Sequence, residues 1–277
     1  MTALSKNGTS SIVLVAVDGS DYSAGAIRVG VALAKDSGAR LIGLSIAVYN
    51  PEYSTLVPNL HVEAGNRARA ALNAFLAEAG AGAETATHEA GDPYQGILEG
   101  AKEYNADVIV IGRRGKRGLA RMMVGDATAR VVGQADCPVL VVPRAARLWE
   151  KRILLATDGS PHSEAAAMAA GNLAKQFALP VTVLSVVTSS HSPERRQEAE
   201  QAVAATVERL KVMGILAEGK VVEGCPDEAI VKAAEDVGAD LIAMGSHGRT
   251  GLGKVLLGSV AERVIGSADR PVLVVRS

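Results

Sequence analysis

The sequence predicts an α/β protein made of two tandem copies of one doubly wound, parallel five-stranded domain. Three observations predict it. The 277 residues are enough for about two domains, each long enough to enclose a core. Hydrophobic residues make up 48% but aromatics only 3%, so the interior rests on Ala, Val, Leu and Gly, the composition of strands buried on both faces with small-residue helices packed on them. The chain also repeats itself: 91–142 aligns with 224–275 without a gap at an offset of 133, and 22 of 52 pairs are identical, among them Asp107/Asp240, Gly112/Gly245, Gly115/Gly248, Gly125/Gly258 and Pro138/Pro271. The beginnings, IVLVAVDGSDYSAGA and RILLATDGSPHSEAA, align at an offset of 140, so the first copy carries about seven extra residues, placed within 50–61. Two domains, 1–146 and 147–277, follow, rather than a solenoid of short repeats.

Each element is legible in the second copy. An apolar run at 153–157 ends at Asp158-Gly159-Ser160 and reads as a strand. Helical periodicity over 163–178 follows, then a second strand at 181–187. The charged stretch 193–214 reads as a long amphipathic helix with a core-facing side, like 62–79 in the first copy. A short strand at 216–222 leads to a helix at 226–237 with Pro226 in its first turn. The last two strands, 240–244 and 271–275, flank a helix at 259–267. Strand and helix alternate throughout, which implies right-handed crossovers and a parallel sheet. In such a sheet the ligand crevice lies beyond the strand C-termini where the strand order reverses, so the loops after strands one and four are the places to look.

Several classes are excluded. The net charge of −1 gives no bias toward nucleic acid. The longest apolar runs, such as 12–17 and 139–142, are strand-sized, far short of the roughly 20 residues of a membrane helix. Residues 1–10 lack the basic and apolar segments of a secretory signal, so a cytoplasmic location is expected. Cys137 and Cys225 are far apart and read as reduced packing residues. The five histidines, His61, His88, His162, His191 and His247, show no metal-binding spacing. No GxSxG elbow occurs, so hydrolase chemistry lacks a constellation.

The loop after strand four carries the strongest pattern. In the second copy it reads MGSHGRTGLGKVLLGSV: Gly245, two residues, Gly248, nine residues, then Gly258-Ser259 opening a helix. Glycines there would let the backbone turn with positive φ and approach a phosphate. A helix N-terminus adds amide donors and partial positive charge, and Ser259 adds a hydroxyl. Residues 248–255, GRTGLGKV, meet the glycine and lysine spacing of a P-loop but put Val255 where Ser or Thr should bind magnesium. The dinucleotide fingerprint GxGxxG is missing from both first turns, VDGSDYS and TDGSPHS.

With Asp158 ending strand one and a terminal PVLVV strand, the spacing Gly245-x2-Gly248-x9-Gly258-Ser259 resembles the ATP-binding signature of the universal stress protein family, and the resemblance covers nearly the whole chain as two tandem domains. It implies a strand order of 3-2-1-4-5 in each domain, with the fifth strands, 139–142 and 272–275, packing together as an intramolecular pseudo-dimer. It also implies that Ala156, Thr157 and Asp158 contact the ribose or adenine side of ATP and that Val186 borders the base. Met244, Gly245, His247 and Gly248 would line the ribose and phosphates, and Gly258, Ser259 and Val260 would hold the phosphate tail. ATP, with or without Mg2+, is the implied cofactor. The position of the loop and of Asp158 at the switch point agrees with this independently. Asp158 as a helix N-cap and His247 as a solvated loop residue are the structural alternatives.

The first copy departs from the signature. Its loop, GRRGKRGLARMMVGDAT, keeps Gly112, Gly115 and Gly125 in register behind Asp18, but Asp126 stands in place of the helix-opening Ser. A carboxylate about 4 Å from a phosphate charge costs roughly 4 kcal/mol at an effective dielectric of 20, nearly three decades in affinity. Arg113, Arg114, Lys116, Arg117 and Arg121 stand nearby in sequence and either neutralise an anion or form a solvated basic edge. A degenerate first site is the expectation. Function then divides between a nucleotide-binding stress-response or regulatory protein, a slow ATPase or adenylate-handling enzyme, and an assembly module without nucleotide. The first is preferred, because no water-activating residue is identifiable. Adenine nucleotide is the expected partner, with homo-oligomerisation and protein partners open.

Overall fold

A computed structural model describes residues 11–49, 59–113, 124–249 and 257–277. Two compact units account for them, the first holding the described residues up to 113 and 125–148, the second holding 149–277 together with Val124. In the first, β1 (Ile12–Ala16), α1 (Ser23–Ser37), β2 (Arg40–Val48), α2 (Leu60–Ala79), β3 (Glu84–Ala90), α3 (Pro93–Glu103), β4 (Val108–Gly112), α4 (Asp126–Gln134) and β5 (Val139–Val142) follow one another. The second repeats the series as β6 (Ile153–Ala156), α5 (Pro161–Phe177), β7 (Val181–Val187), α6 (Pro193–Val212), β8 (Ala217–Glu223), α7 (Pro226–Asp236), β9 (Leu241–Gly245), α8 (Ser259–Ser267) and β10 (Val272–Val275). The pairs Val13–Leu41 and Ile153–Val181 hold equivalent places at an offset of 140, while α2 and α6 are offset by 133, so the extra residues fall between β2 and α2.

Within each unit the strands pair in parallel in the order 3-2-1-4-5: β3-β2-β1-β4-β5 and β8-β7-β6-β9-β10. Central strands such as β6 and β9 are buried along their whole length, as strands covered by helices on both faces must be. The outer strands β3 and β8 are largely exposed and carry Glu, Thr, Lys and His, which protects an open edge from further pairing. Trp149 anchors the start of the second unit, fully buried with its ring 5.8 Å edge-on to Phe177.

Local chemistry sets the element boundaries. Helix α5 starts two residues before the periodicity predicts, because the Ser160 hydroxyl accepts from the Ser163 amide and Pro161 supplies a preset first-turn φ. The shared aspartates before β4 and β9 are also explained. Asp107 accepts from the Ile12 amide at 2.9 Å, and Asp240 from the amides of Glu150, Lys151 and Arg152. Each carboxylate therefore ties the chain entering the unit to the neighbouring strand. In each unit the order reverses between first and fourth strands, β1/β4 and β6/β9, whose C-terminal ends lie side by side.

Candidate functional site

In the second unit a cleft of about 430 Å3 opens beyond the ends of β6, β7 and β9. Its volume lies within the range of small-molecule sites. All eleven residues singled out in this unit line it: Ala156, Thr157 and Asp158 after β6, Val186 on β7, Met244 to Gly245 at the end of β9, His247 and Gly248 in the loop, and Gly258, Ser259 and Val260 where α8 begins. Thr250 to Leu256, including most of the P-loop-like stretch, lie outside the described residues.

The turn after β6 is built around Asp158. One carboxylate oxygen, Oδ1, accepts from the Ser160 amide at 3.0 Å, while Oδ2 accepts from the Arg249 amide at 2.8 Å. Asp158 thus tethers the loop after β9 to the turn after β6, and the N-cap of α5 is Ser160. The loop is fixed from its other side by Gly258, whose amide donates to the Ser246 carbonyl at 2.9 Å, and by the Ser246 amide donating to the Val275 carbonyl.

The motif glycines meet a packing requirement as well. None of Gly245, Gly248 and Gly258 has a left-handed φ, which corrects the expectation of positive-φ turns. They are required by close approach. A Cβ on Gly245 would lie 2.8 Å from the His162 backbone, one on Gly248 2.8 Å from the Asp158 carboxylate, and one on Gly258 3.0 Å from the Ser246 carbonyl oxygen. The glycines let the loop pack onto the switch point, leaving the start of α8 facing the cleft. The first-turn amides that an α-helix cannot satisfy internally belong to 259–261, and all three residues line the cleft.

The cleft wall is part apolar and part polar. Ala156, Leu184, Val186, Ile230 and Met244 supply the apolar part, and Asp158, His191, Arg195, His247, Arg249 and Ser259 the polar part. The His247 ring lies 5.4 Å from that of His162, with Nδ1 3.1 Å from the Ser246 hydroxyl. Burial, followed by the nearby His247 and Arg276, pushes the His162 imidazole below its ordinary pKa against an opposing pull from Asp158.

A family model described as "Universal stress protein family" matches residues 10–143 and 150–276. The chain belongs to the universal stress protein family, with two of its domains in tandem. Universal stress protein MJ0531 of Methanocaldococcus jannaschii is 40% identical over 139 residues, 46% of this chain and 82% of that relative. Universal stress protein MJ0577 of the same organism is 46% identical over 80 residues, 29% of this chain and about half, 49%, of its own length. A crystal structure of a universal stress protein from Archaeoglobus fulgidus superposes with a TM-score of 0.77 over 96% of this chain and 98% of that one, at 22% identity, which shows a shared fold.

Several wall residues of this universal stress protein were not singled out by its sequence. Leu184 was within reach, two residues from Val186 on the same face of β7. Pro226 and Ile230, on one side of α7, and His191 and Arg195, at the entry to α6, come from segments read as ordinary amphipathic helix or bland loop. His191 Nδ1 accepts from the Thr188 amide at 3.2 Å, which shapes the loop leaving β7.

The first unit handles the same positions differently. Asp18 Oδ1 accepts from the Ser20 amide and from the hydroxyls of Ser20 and Ser23, at 2.9, 2.6 and 2.6 Å. Burial pushes this carboxyl up, but the Ser20 and Ser23 hydrogen bonds outweigh it and hold it below the usual carboxylate range. Gly112 ends β4 and Gly125 caps α4, while Gly115 and Arg114, Lys116, Arg117 and Arg121 lie outside the described residues. Asp126 is at the first position of α4, largely exposed and paired with Arg130 at 3.0 Å.

Proposed function

We propose that the second unit binds an adenine nucleotide, ATP foremost, and that the protein is a nucleotide-responsive stress-response or regulatory protein rather than an enzyme. The observation that carries this reading is convergence: residues from four separate segments, chosen by motif, line a single cleft at the switch point. The apolar part, with Val186, Ile230 and Met244, suits a purine ring. Asp158 is the residue for the ribose hydroxyls on this reading, with Oδ1 also accepting from the Ser160 amide and Oδ2 from the Arg249 amide. The start of α8, with the Ser259 hydroxyl, suits a phosphate tail by its amides and partial charge. Among the described residues no group of three His, Cys, Asp or Glu forms a metal site, so Mg2+ would accompany the nucleotide.

Calorimetric titration of the protein with ATP and Mg2+, followed by phosphate-release measurement on the same sample, tests the proposal. One site per chain with negligible turnover is expected. Two sites would mean that the first unit binds as well, appreciable turnover would make the protein an enzyme, and no binding would overturn the nucleotide reading.

A further inference from the structure

Two walls of the cleft are joined at its rim by ion pairs outside the signature. Glu198, on the first turns of α6, receives Arg249 Nη1 at 2.7 Å and Arg195 Nη1 at 3.1 Å on the same oxygen, Oε2. Arg195 lies on α6 and Arg249 in the loop after β9, and both line the cleft. Two cations therefore share one anion beside the polar part of the wall. The three side chains are 30 to 49% exposed, and partly solvated pairs of this kind exchange partners readily because water screens them. The first unit has no counterpart in α2: Val62 and Gly65 occupy the positions of Arg195 and Glu198.

Resting on the nucleotide reading above, we infer that Arg195 and Arg249 select ligands by phosphate-chain length, with Glu198 holding them when no polyphosphate is bound. A triphosphate tail leaving the start of α8 offers several anionic oxygens, to which guanidinium groups bind better than to one shared carboxylate. A monophosphate reaches fewer of them and gains less. Glu198 is a competing anion: its charge opposes that of the incoming tail, and the opposition grows with each phosphate.

The test is the ratio of ATP to AMP affinity by calorimetry at fixed ionic strength, with melting temperature as a check on folding. Arg195→Gln with Arg249→Gln is expected to lower that ratio about tenfold, the loss of a charge-assisted hydrogen bond or more. Glu198→Gln is expected to raise it about threefold, with ADP intermediate. If wild type binds ATP and AMP but neither variant moves the ratio, or Glu198→Gln lowers it, the chain-length proposal falls and the nucleotide reading stands. If wild type binds neither, both fall. Inorganic tripolyphosphate gives an independent arm: the double arginine variant should weaken its competition against ATP, and undiminished competition would overturn the chain-length proposal.

Discussion

The two halves of this chain cap their last helix in the same way and then differ in where the first turn carries its acid. In the first, Gly125 caps α4 and Asp126 opens it, with Arg130 one turn on turned back to that carboxylate and placed 4.9 Å over the Tyr94 ring. In the second, Gly258 caps α8 and Ser259 opens it, and the matching Arg263 turns instead to the buried carboxylate of Asp227, at 3.6 Å, which occupies the place of Tyr94. The substitutions form a set. Where the helix starts with an acid, its own arginine is used to balance it. Where it starts with a hydroxyl, the arginine is committed elsewhere, and the acid of the first turn is Glu262, three residues beyond Ser259. Duplication has thus left one helix with a carboxylate at its first position and the other with a hydroxyl there.

The largest expected effect tests this difference directly. Ser259→Asp should lower ATP affinity by roughly three decades, from about 4 kcal/mol of repulsion at an effective dielectric of 20. An acid at a helix start favours the helix itself, so the melting temperature should hold or rise while binding is lost. Gly125→Ala in the first unit should leave the stoichiometry at one site per chain. A variant Ser259→Asp that binds ATP as wild type would dissolve the contrast between the halves.

A second prediction concerns what the halves share. Gly112 and Gly245 both end a fourth strand beneath the start of the first helix of their unit: a Cβ on Gly112 would overlap the Tyr22 carbonyl, and one on Gly245 would press on the His162 backbone. Gly112→Ala and Gly245→Ala should therefore each destabilise by about 1–3 kcal/mol, as overpacking against backbone does. Chemical denaturation measures both. If only Gly245→Ala reduced ATP affinity and neither changed stability, the glycine would belong to ligand approach, as its spacing first suggests, rather than to packing.

That glycine shows where sequence reading stops. Its position could be read from the repeat, and so could the strands, because buried parallel strands are short apolar runs such as 153–157 and 271–275. The loop, Asp158 and Ser259 were legible because the motif is contiguous and the fold class fixes which loops meet. The reason for the glycines was not, since close approach to His162 depends on how α5 crosses β9. The identity of Asp107 with Asp240 was visible, whereas its cause, tethering of the entering chain, spans about 90 residues. Arg195 and Glu198 were hidden for the same reason: on α6 they look like any charged helix face, and only the tertiary contact with Arg249 sets them at the rim.

The smallest expected effect sharpens the contrast at the other loop of the switch point. His162 occupies the position of Tyr22, so the second half has an imidazole where the first has a phenol. Its Nδ1 accepts from the Ser277 amide at 3.0 Å, which requires that nitrogen to be unprotonated, and the rings and charges facing it are His247, Arg276 and Asp158. Burial, then His247 and Arg276, lower its pKa below the ordinary 6.5. The unfolded chain therefore binds the proton more readily than the folded one, and stability present above the unfolded pKa is lost as pH falls through it toward the folded value. Thermal melting between pH 7.5 and 5.5 should show His162→Gln losing less on acidification than wild type, by about 1 °C. Equal pH dependence in the two proteins would remove His162 from the list of differences between the halves and leave the helix starts and the rim cluster to account for them.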